Sequence, residues 1–283
     1  MKKKIRLSKS SLSNKEKEAV MRILDEEYLG MGGEVRIFED NLSKFFGRQV
    51  VCVANGTAAL HLALQASGIG FGDEVIVQSL TYVATIQAIS ATGAIPIFCD
   101  VDIKNMTLDL TDVKKKITKK TKAIMPVHYA GSPGSIDELY NLASDHNILV
   151  IEDAAHAFGS NHKGKRIGSF GGTSCFSFDG IKNITSGEGG CIVSDDQLLI
   201  DNVKDIRLLG VQKDSEKRYS GKRSDEFDVS QQGWRYHMSN IMAAIGNVQL
   251  ERFDELYAKR KKLVKRYLNN LKNFSDINLL KIK

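Results

Sequence analysis

Val50-Val-Cys-Val-Ala-Asn-Gly-Thr-Ala-Ala-Leu-His-Leu-Ala-Leu64 opens on a short apolar run, turns through Asn-Gly-Thr, and continues with strong helix formers. A run of that length rich in β-branched residues reads as a strand buried on both faces, and the Ala/Leu stretch behind the turn reads as a helix over 57–66. The pattern repeats outward from there. Glu74-Val-Ile-Val77, Ile95-Pro-Ile-Phe-Cys99, Ala123-Ile-Met-Pro-Val127 and Ile148-Leu-Val-Ile151 are further apolar runs, with helical stretches at 82–91 and 135–145 between them. Strands alternating with helices predict an α/β fold around a largely parallel sheet covered on both faces. In such sheets ligands gather at the carboxyl ends of the strands, so the residues just after each run are where chemistry is to be sought.

Three of those ends carry suitable groups. Gly56 and Thr57 follow the first run at a helix start, where unpaired N–H groups and the positive end of the dipole can hold a phosphate; a plain N-cap is the alternative. After the run at 148–151 come Glu152-Asp153-Ala-Ala-His156. An aspartate at that depth needs a cationic partner or hydrogen bonds to stay ionised, and a protonated heterocycle nitrogen would serve. The alternatives are a cap on a following helix for Asp153 and a satisfied core histidine for His156. The third end is Thr173-Ser-Cys-Phe-Ser-Phe-Asp-Gly-Ile-Lys182, followed by glycines at 187, 189 and 190 and the strand-like Cys191-Ile-Val-Ser194. A lysine between isoleucines, reached from an aromatic strand, reads as buried. Burial favours the neutral amine, which can add to an aldehyde to form a Schiff base; a lysine snorkelling from a strand edge is the alternative. The glycines there, and Gly171-Gly172 before the strand, suggest backbone passing close to other atoms.

The remainder of the chain frames these ends. Ser13 caps a helix with an apolar period, the cluster Gly30-Met-Gly-Gly33 breaks it, and the period resumes at 35–46. Residues 196–209 read as helical and 219–232 as a loop. A long helix capped by Ser239 then runs to about residue 271, with a bend expected at Gly246.

Across 283 residues the formal net charge is +6, with 42% hydrophobic and 26% charged residues, the balance of a soluble globular protein. No apolar run has signal-peptide or membrane-spanning length, so a cytoplasmic protein without membrane attachment is expected. The four cysteines (Cys52, Cys99, Cys175, Cys191) lie in apolar segments without CxxC spacing, which favours reduced core thiols and no metal site. The basic run Lys259-Arg-Lys-Lys-Leu-Val-Lys-Arg266 reads as a helix face rather than a nucleic-acid patch, since it lacks interleaved aromatics. Gly68-Ile-Gly-Phe-Gly72 misses the dinucleotide-binding spacing, and no P-loop is present.

Asn55-Gly-Thr-Ala-Ala-Leu, Asp153-Ala-Ala-His156, Phe176-Ser-Phe with Lys182, Gly187-Glu-Gly-Gly190 and Gly233-Trp-Arg-Tyr-His-Met-Ser-Asn-Ile-Met-Ala-Ala occur in this order. In this the chain closely resembles the DegT/DnrJ/EryC1/StrS family of sugar aminotransferases, from about residue 5 to about residue 260. The resemblance implies the aspartate-aminotransferase-like fold (PLP fold type I), with a mostly parallel seven-stranded sheet between helices. It also implies pyridoxal 5′-phosphate (PLP) as cofactor, and amino transfer from glutamate to a keto sugar on a nucleotide diphosphate, for cell-surface polysaccharide or related amino-sugar synthesis.

By position, Lys182 resembles the Schiff-base lysine and Asp153 the partner of the pyridinium nitrogen. His156 matches the group that reaches the ring hydroxyl, Tyr82 the aromatic that stacks on the ring, and Gly56, Thr57 and Ser177 the phosphate contacts. The family commonly sends an asparagine from the segment after Gly233 to the phosphate of a neighbouring subunit. Arg235 and His237 stand at the two places concerned, so a homodimer with shared sites is implied, with either residue as the phosphate contact.

The resemblance further implies a large domain over 1–238 and a connecting helix over 239–283 that begins a truncated small domain, leaving Leu263, Tyr267 and Leu271 exposed. Two other readings are a regulatory or truncated PLP-binding relative without turnover and a PLP-dependent sugar dehydratase. Lys182 argues against the second, whose members resemble this chain but carry histidine there.

Overall fold

The computed structural model describes residues 8–279 apart from 224, 226, 227, 275 and 278. Its centre is a seven-stranded sheet of β1 (Gln49–Val53), β2 (Glu74–Gln78), β3 (Ile95–Cys99), β4 (Thr121–Met125), β5 (Leu149–Asp153), β6 (Thr173–Ser177) and β7 (Gly190–Ser194), in the order β1-β7-β6-β5-β4-β2-β3. Neighbours pair in parallel except β7, which runs against both β1 and β6. The mostly parallel sheet expected from the alternation is therefore present, and β7 is the exception because a loop rather than a crossover helix joins it to β6.

Ten helices surround the sheet among the described residues: α1 (Asn14–Asp25), α2 (Gly33–Phe46), α3 (Gly56–Ala66), α4 (Val83–Ala91), α5 (Leu110–Lys116), α6 (Ile136–Asp145), α7 (Gln197–Ile206), α8 (Asp214–Tyr219), α9 (Asn240–Glu251) and α10 (Phe253–Leu271). Side chains alternate across a strand, so each strand feeds two cores. Val51, Val53, Val77 and Ile151 pack with Leu60, Leu64, Ile89 and Val203 of α3, α4 and α7. On the opposite face Val50, Cys52, Phe176 and Val193 meet Phe38 and Leu42 of α2, and Ile124 and Val150 meet Leu139 and Leu142 of α6. Burial on both faces is why these strands read as continuous apolar runs. The four cysteines are free and buried among them.

The N-terminal cap of α1 is a full capping box between Ser13 and Glu16. Burial alone would raise the Glu16 carboxyl, but hydrogen bonds from Ser13, Gln249 and Arg252 bring it down to about 2.

Three expectations need correction. Residues 207–209 do not extend α7, which ends at Ile206, and Leu209 takes a positive φ of 68°. The polar stretch expected as a loop from 219 is preceded by the short helix α8, whose last residue is Tyr219. The break in the last helix falls at Arg252, not Gly246. A β-carbon at Gly246 would lie 2.5 Å from the Phe38 ring, so that glycine permits close helix packing and no bend.

In the segment expected as a connecting helix from residue 239, α9 packs against α1 and α2, and α10 keeps contact with the body as far as Arg260, which donates to the Lys182 carbonyl (3.5 Å). Leu263 and Tyr267 are exposed and Leu271 is half-buried; residues 280–283 lie outside the described residues. Among the described residues no helix is long and apolar enough to cross a membrane.

Candidate active site

The carboxyl ends of β1, β5 and β6 and the start of β7 lie side by side, because β7 runs in reverse. At the end of β1, Asn55 caps α3, accepting the Ala58 N–H on its side chain (2.8 Å) and the Ala59 N–H on its carbonyl (3.1 Å). The cap is thus Asn55, and the amides of Gly56 and Thr57 point out of the helix end as donors for an anion. Gly56 faces the end of β6: a β-carbon there would sit 2.8 Å from Ser177 Cβ and 3.2 Å from its hydroxyl oxygen. Gly190 closes the floor, where a β-carbon would lie 2.6 Å from the Asn55 carbonyl oxygen. The missing β-carbon at Gly56 therefore lets the start of α3 close on Ser177, which gathers the helix-end amides and the Ser177 hydroxyl into a set of donors that fits a phosphate group.

On the strand next to β6, Asp153 ends β5 on the face covered by α3 and α4. Its carboxylate is buried and accepts from Thr85 Oγ1 (2.7 Å) and from the Ala155 N–H (3.1 Å). Turns rather than a helix follow, so helix capping does not explain it. Glu152 points to the opposite face, where it bonds His128 (2.5 Å) and Tyr140. Parity along one strand thus sends one carboxylate to the site and the other into the core.

Lys182 lies in the loop from β6 to β7. Asn183 donates to the Phe158 carbonyl (2.8 Å), Ser186 N–H to the Phe178 carbonyl (2.9 Å), and Lys182 N–H to the Asp179 carbonyl (3.0 Å). Gly187 turns the chain with a φ of 85°. Lys182 is half-buried, not buried as its isoleucine neighbours suggested, because Ile181 is exposed and only Ile184 enters the core. His156 stands at the exposed rim beside Tyr129. Partial desolvation and then the nearby Lys182 charge hold its imidazole below the ordinary pKa, against the pull of Asp153. Tyr82, at the start of α4, is 76% exposed and presents its ring to solvent.

Arg235 and His237 belong to a short edge beside β1. His237 bridges Val53, Ala54 N–H donates to the Tyr236 carbonyl (2.6 Å), and Tyr236 N–H donates to the Arg207 carbonyl (3.0 Å). Arg235 is exposed, whereas His237 is half-buried. Burial first, then the charges of Arg235, Arg218 and Arg207, push the His237 imidazole down to about 4. Its Nδ1 is buried without a hydrogen-bond partner among the described residues.

Sequence reasoning passed over Thr85 and the hydroxyl of Thr81 that bonds it (2.7 Å). Their spacing of one helical turn beside Tyr82 was the available signal.

The sequence and the fold that bring these ends together match a known group of enzymes. The sequence profile of the DegT/DnrJ/EryC1/StrS aminotransferase family matches residues 10–283, and the chain belongs to that family, whose members depend on PLP. It is 42% identical over 270 residues to the GDP-perosamine synthase of Escherichia coli O157:H7, covering 95% of this chain and 71% of that protein. Among solved structures it resembles the PLP form of Spr1654 of Streptococcus pneumoniae (TM-score 0.89, 30% identity, 96% of this chain and 72% of that one). It also resembles Helicobacter pylori PseC, an aminotransferase of pseudoaminic acid biosynthesis (TM-score 0.88, 29% identity, again 96% and 72%).

Proposed function

We propose that this chain binds PLP across the ends of β1, β5 and β6. It then moves an amino group from glutamate to a keto sugar on a nucleotide diphosphate in the cytoplasm, for cell-surface polysaccharide or related amino-sugar synthesis. The observation that carries the reading is the buried Asp153 carboxylate, held by Thr85 and the Ala155 N–H at the sheet end where Gly56 faces Ser177. The similarity to a GDP-perosamine synthase supports a GDP-linked sugar as acceptor.

Gly56, Thr57 and Ser177 would hold the phosphate, Tyr82 would cover the ring, and His156 would meet the ring hydroxyl. When bound, the cofactor supplies an electron sink for the carbon that carries the amine. Asp153 would keep the ring nitrogen protonated, which strengthens that sink. Lys182 would hold the cofactor between turnovers and move the proton at the reacting carbon. The half-buried setting of Lys182 leaves it reachable from the cleft while its backbone is pinned.

The active unit in this reading is a homodimer, with Arg235 reaching the partner's cofactor phosphate. Arg235 rather than His237 has that role, since an imidazole held near pH 4 brings no positive charge at neutral pH.

The test is incubation with PLP, glutamate and a panel of keto sugars on GDP, UDP and dTDP, read by mass. The expected product is an amino sugar on GDP. Absence of any amino sugar, with PLP bound and the fold intact, overturns the reading.

A further inference from the structure

Asp153 is the deepest charged group of the site, and the Thr85 hydroxyl fixes one of its oxygens. Thr85 is fully buried on the first turn of α4, its Oγ1 2.7 Å from Asp153 Oδ2 and 2.7 Å from Thr81 Oγ1. An ionised carboxylate only accepts, so the Thr85 proton points at Asp153, and Thr81 must then donate its own proton to Thr85. The chain of hydroxyls has one direction. The backbone just before Thr81 is held by Gln78, buried at the end of β2, whose amide donates to the Leu80 carbonyl (2.9 Å) and the Met106 carbonyl (3.2 Å) and accepts the Val127 N–H (3.1 Å). The Ala155 N–H holds the other carboxylate oxygen.

We propose that Thr85, backed by Thr81, is a positioning residue that holds the Asp153 carboxylate turned toward the cofactor ring nitrogen. Two donors, one on each carboxylate oxygen, fix the plane of the group and define the direction left open for a third. Tyr82 lies between the two threonines, so the same turn that covers the ring also sets the group beneath it. Moving this turn would change ring cover and ring protonation together.

The inference rests on Asp153 facing the ring nitrogen, and the experiment separates the two claims. PLP affinity of the full chain and the pH dependence of its visible absorption band are measured for wild type and for Thr85→Val, Thr85→Ser, Thr81→Val and Asp153→Asn. Thr85→Val is expected to weaken PLP binding about ten- to hundredfold, the range for a hydrogen bond to a charged group. It should also move the transition of the band to lower pH, as the ring nitrogen loses its proton more easily. Thr85→Ser should restore both, and Thr81→Val, at a partly exposed residue that leaves the fold intact, should shift the band in the same direction by less. If Asp153→Asn changes affinity and band while Thr85→Val and Thr81→Val change neither, Thr85 is only a packing residue and the inference fails. If Asp153→Asn changes neither, the assignment of Asp153 itself fails. Equal losses in Thr85→Ser and Thr85→Val would also overturn it, since the hydroxyl would then not be the cause.

Discussion

Gly56 and Ser177 stand so close that a β-carbon on residue 56 would lie 2.8 Å from Ser177 Cβ, inside any real contact. Gly56→Ala must therefore push the end of β6 away from the start of α3. We expect a stability loss of about 1–3 kcal/mol from overpacking and a larger effect on PLP affinity, at least tenfold, because the cradle itself deforms. Calorimetry of the apo chain and a PLP titration check this. Unchanged affinity would remove Gly56 and Ser177 from the phosphate site.

Borohydride treatment of the PLP-loaded chain should attach the cofactor to Lys182, and peptide mapping should find it there. Lys182→Ala should still bind PLP through the phosphate and ring contacts while turnover is lost. Labelling of another lysine would contradict the assignment.

Asp153→Asn should fold and yet turn over several orders of magnitude more slowly, a loss on the order of 4 kcal/mol at about 1.4 kcal/mol per factor of ten. The neutral amide cannot hold a ring nitrogen protonated. A rate near wild type, measured in single turnover, would reduce Asp153 to a structural role.

His237 makes folding sensitive to acid. Its folded pKa, about 4, lies below that of an unfolded histidine, near 6.5. Above the unfolded value both states are neutral and nothing is lost. As pH falls from about 6.5 toward 4, the unfolded chain takes up the proton first and stability drops, on the order of 3 kcal/mol at most. Urea unfolding of wild type and His237→Asn at pH 7 and pH 4.5 should show a smaller drop in the variant. Equal drops would mean that other groups carry the effect.

Mixing Lys182→Ala chains with Arg235→Ala chains tests the shared site. Each homodimer should be nearly inactive, and the heterodimer should regain activity because one of its two sites is whole. An inactive mixture with proven subunit exchange would exclude sharing through Arg235.

The sheet was legible in the sequence because several of its strands are buried on both faces, so Val50–Val53 or Val75–Val77 read as apolar runs without help from their partners. The ends were legible for the same reason, since Glu152-Asp153 and Asn55-Gly56 interrupt such runs abruptly. What the sequence hid were effects made by distant partners. Gly246 looked like a bend until Phe38 was seen against it, and the actual break at Arg252 carries neither glycine nor proline. Lys182 looked buried from its isoleucines, but which of the two enters the core depends on the loop path. Thr85 is one threonine among many until Asp153 is placed opposite.

The reversed strand β7 has a consequence for the order of assembly. The loop carrying Lys182 joins two adjacent strands, β6 and β7, and closes over a short stretch of chain. The cradle needs β1, the first strand made, to pair with β7, the last. Closing so long a loop is slow and entropically costly, so that pairing comes late in folding. A chain emerging from the ribosome would have its lysine in place before it could grip a phosphate. Capture of the cofactor would then mark a completed sheet, and half-folded chains would leave PLP free for finished ones.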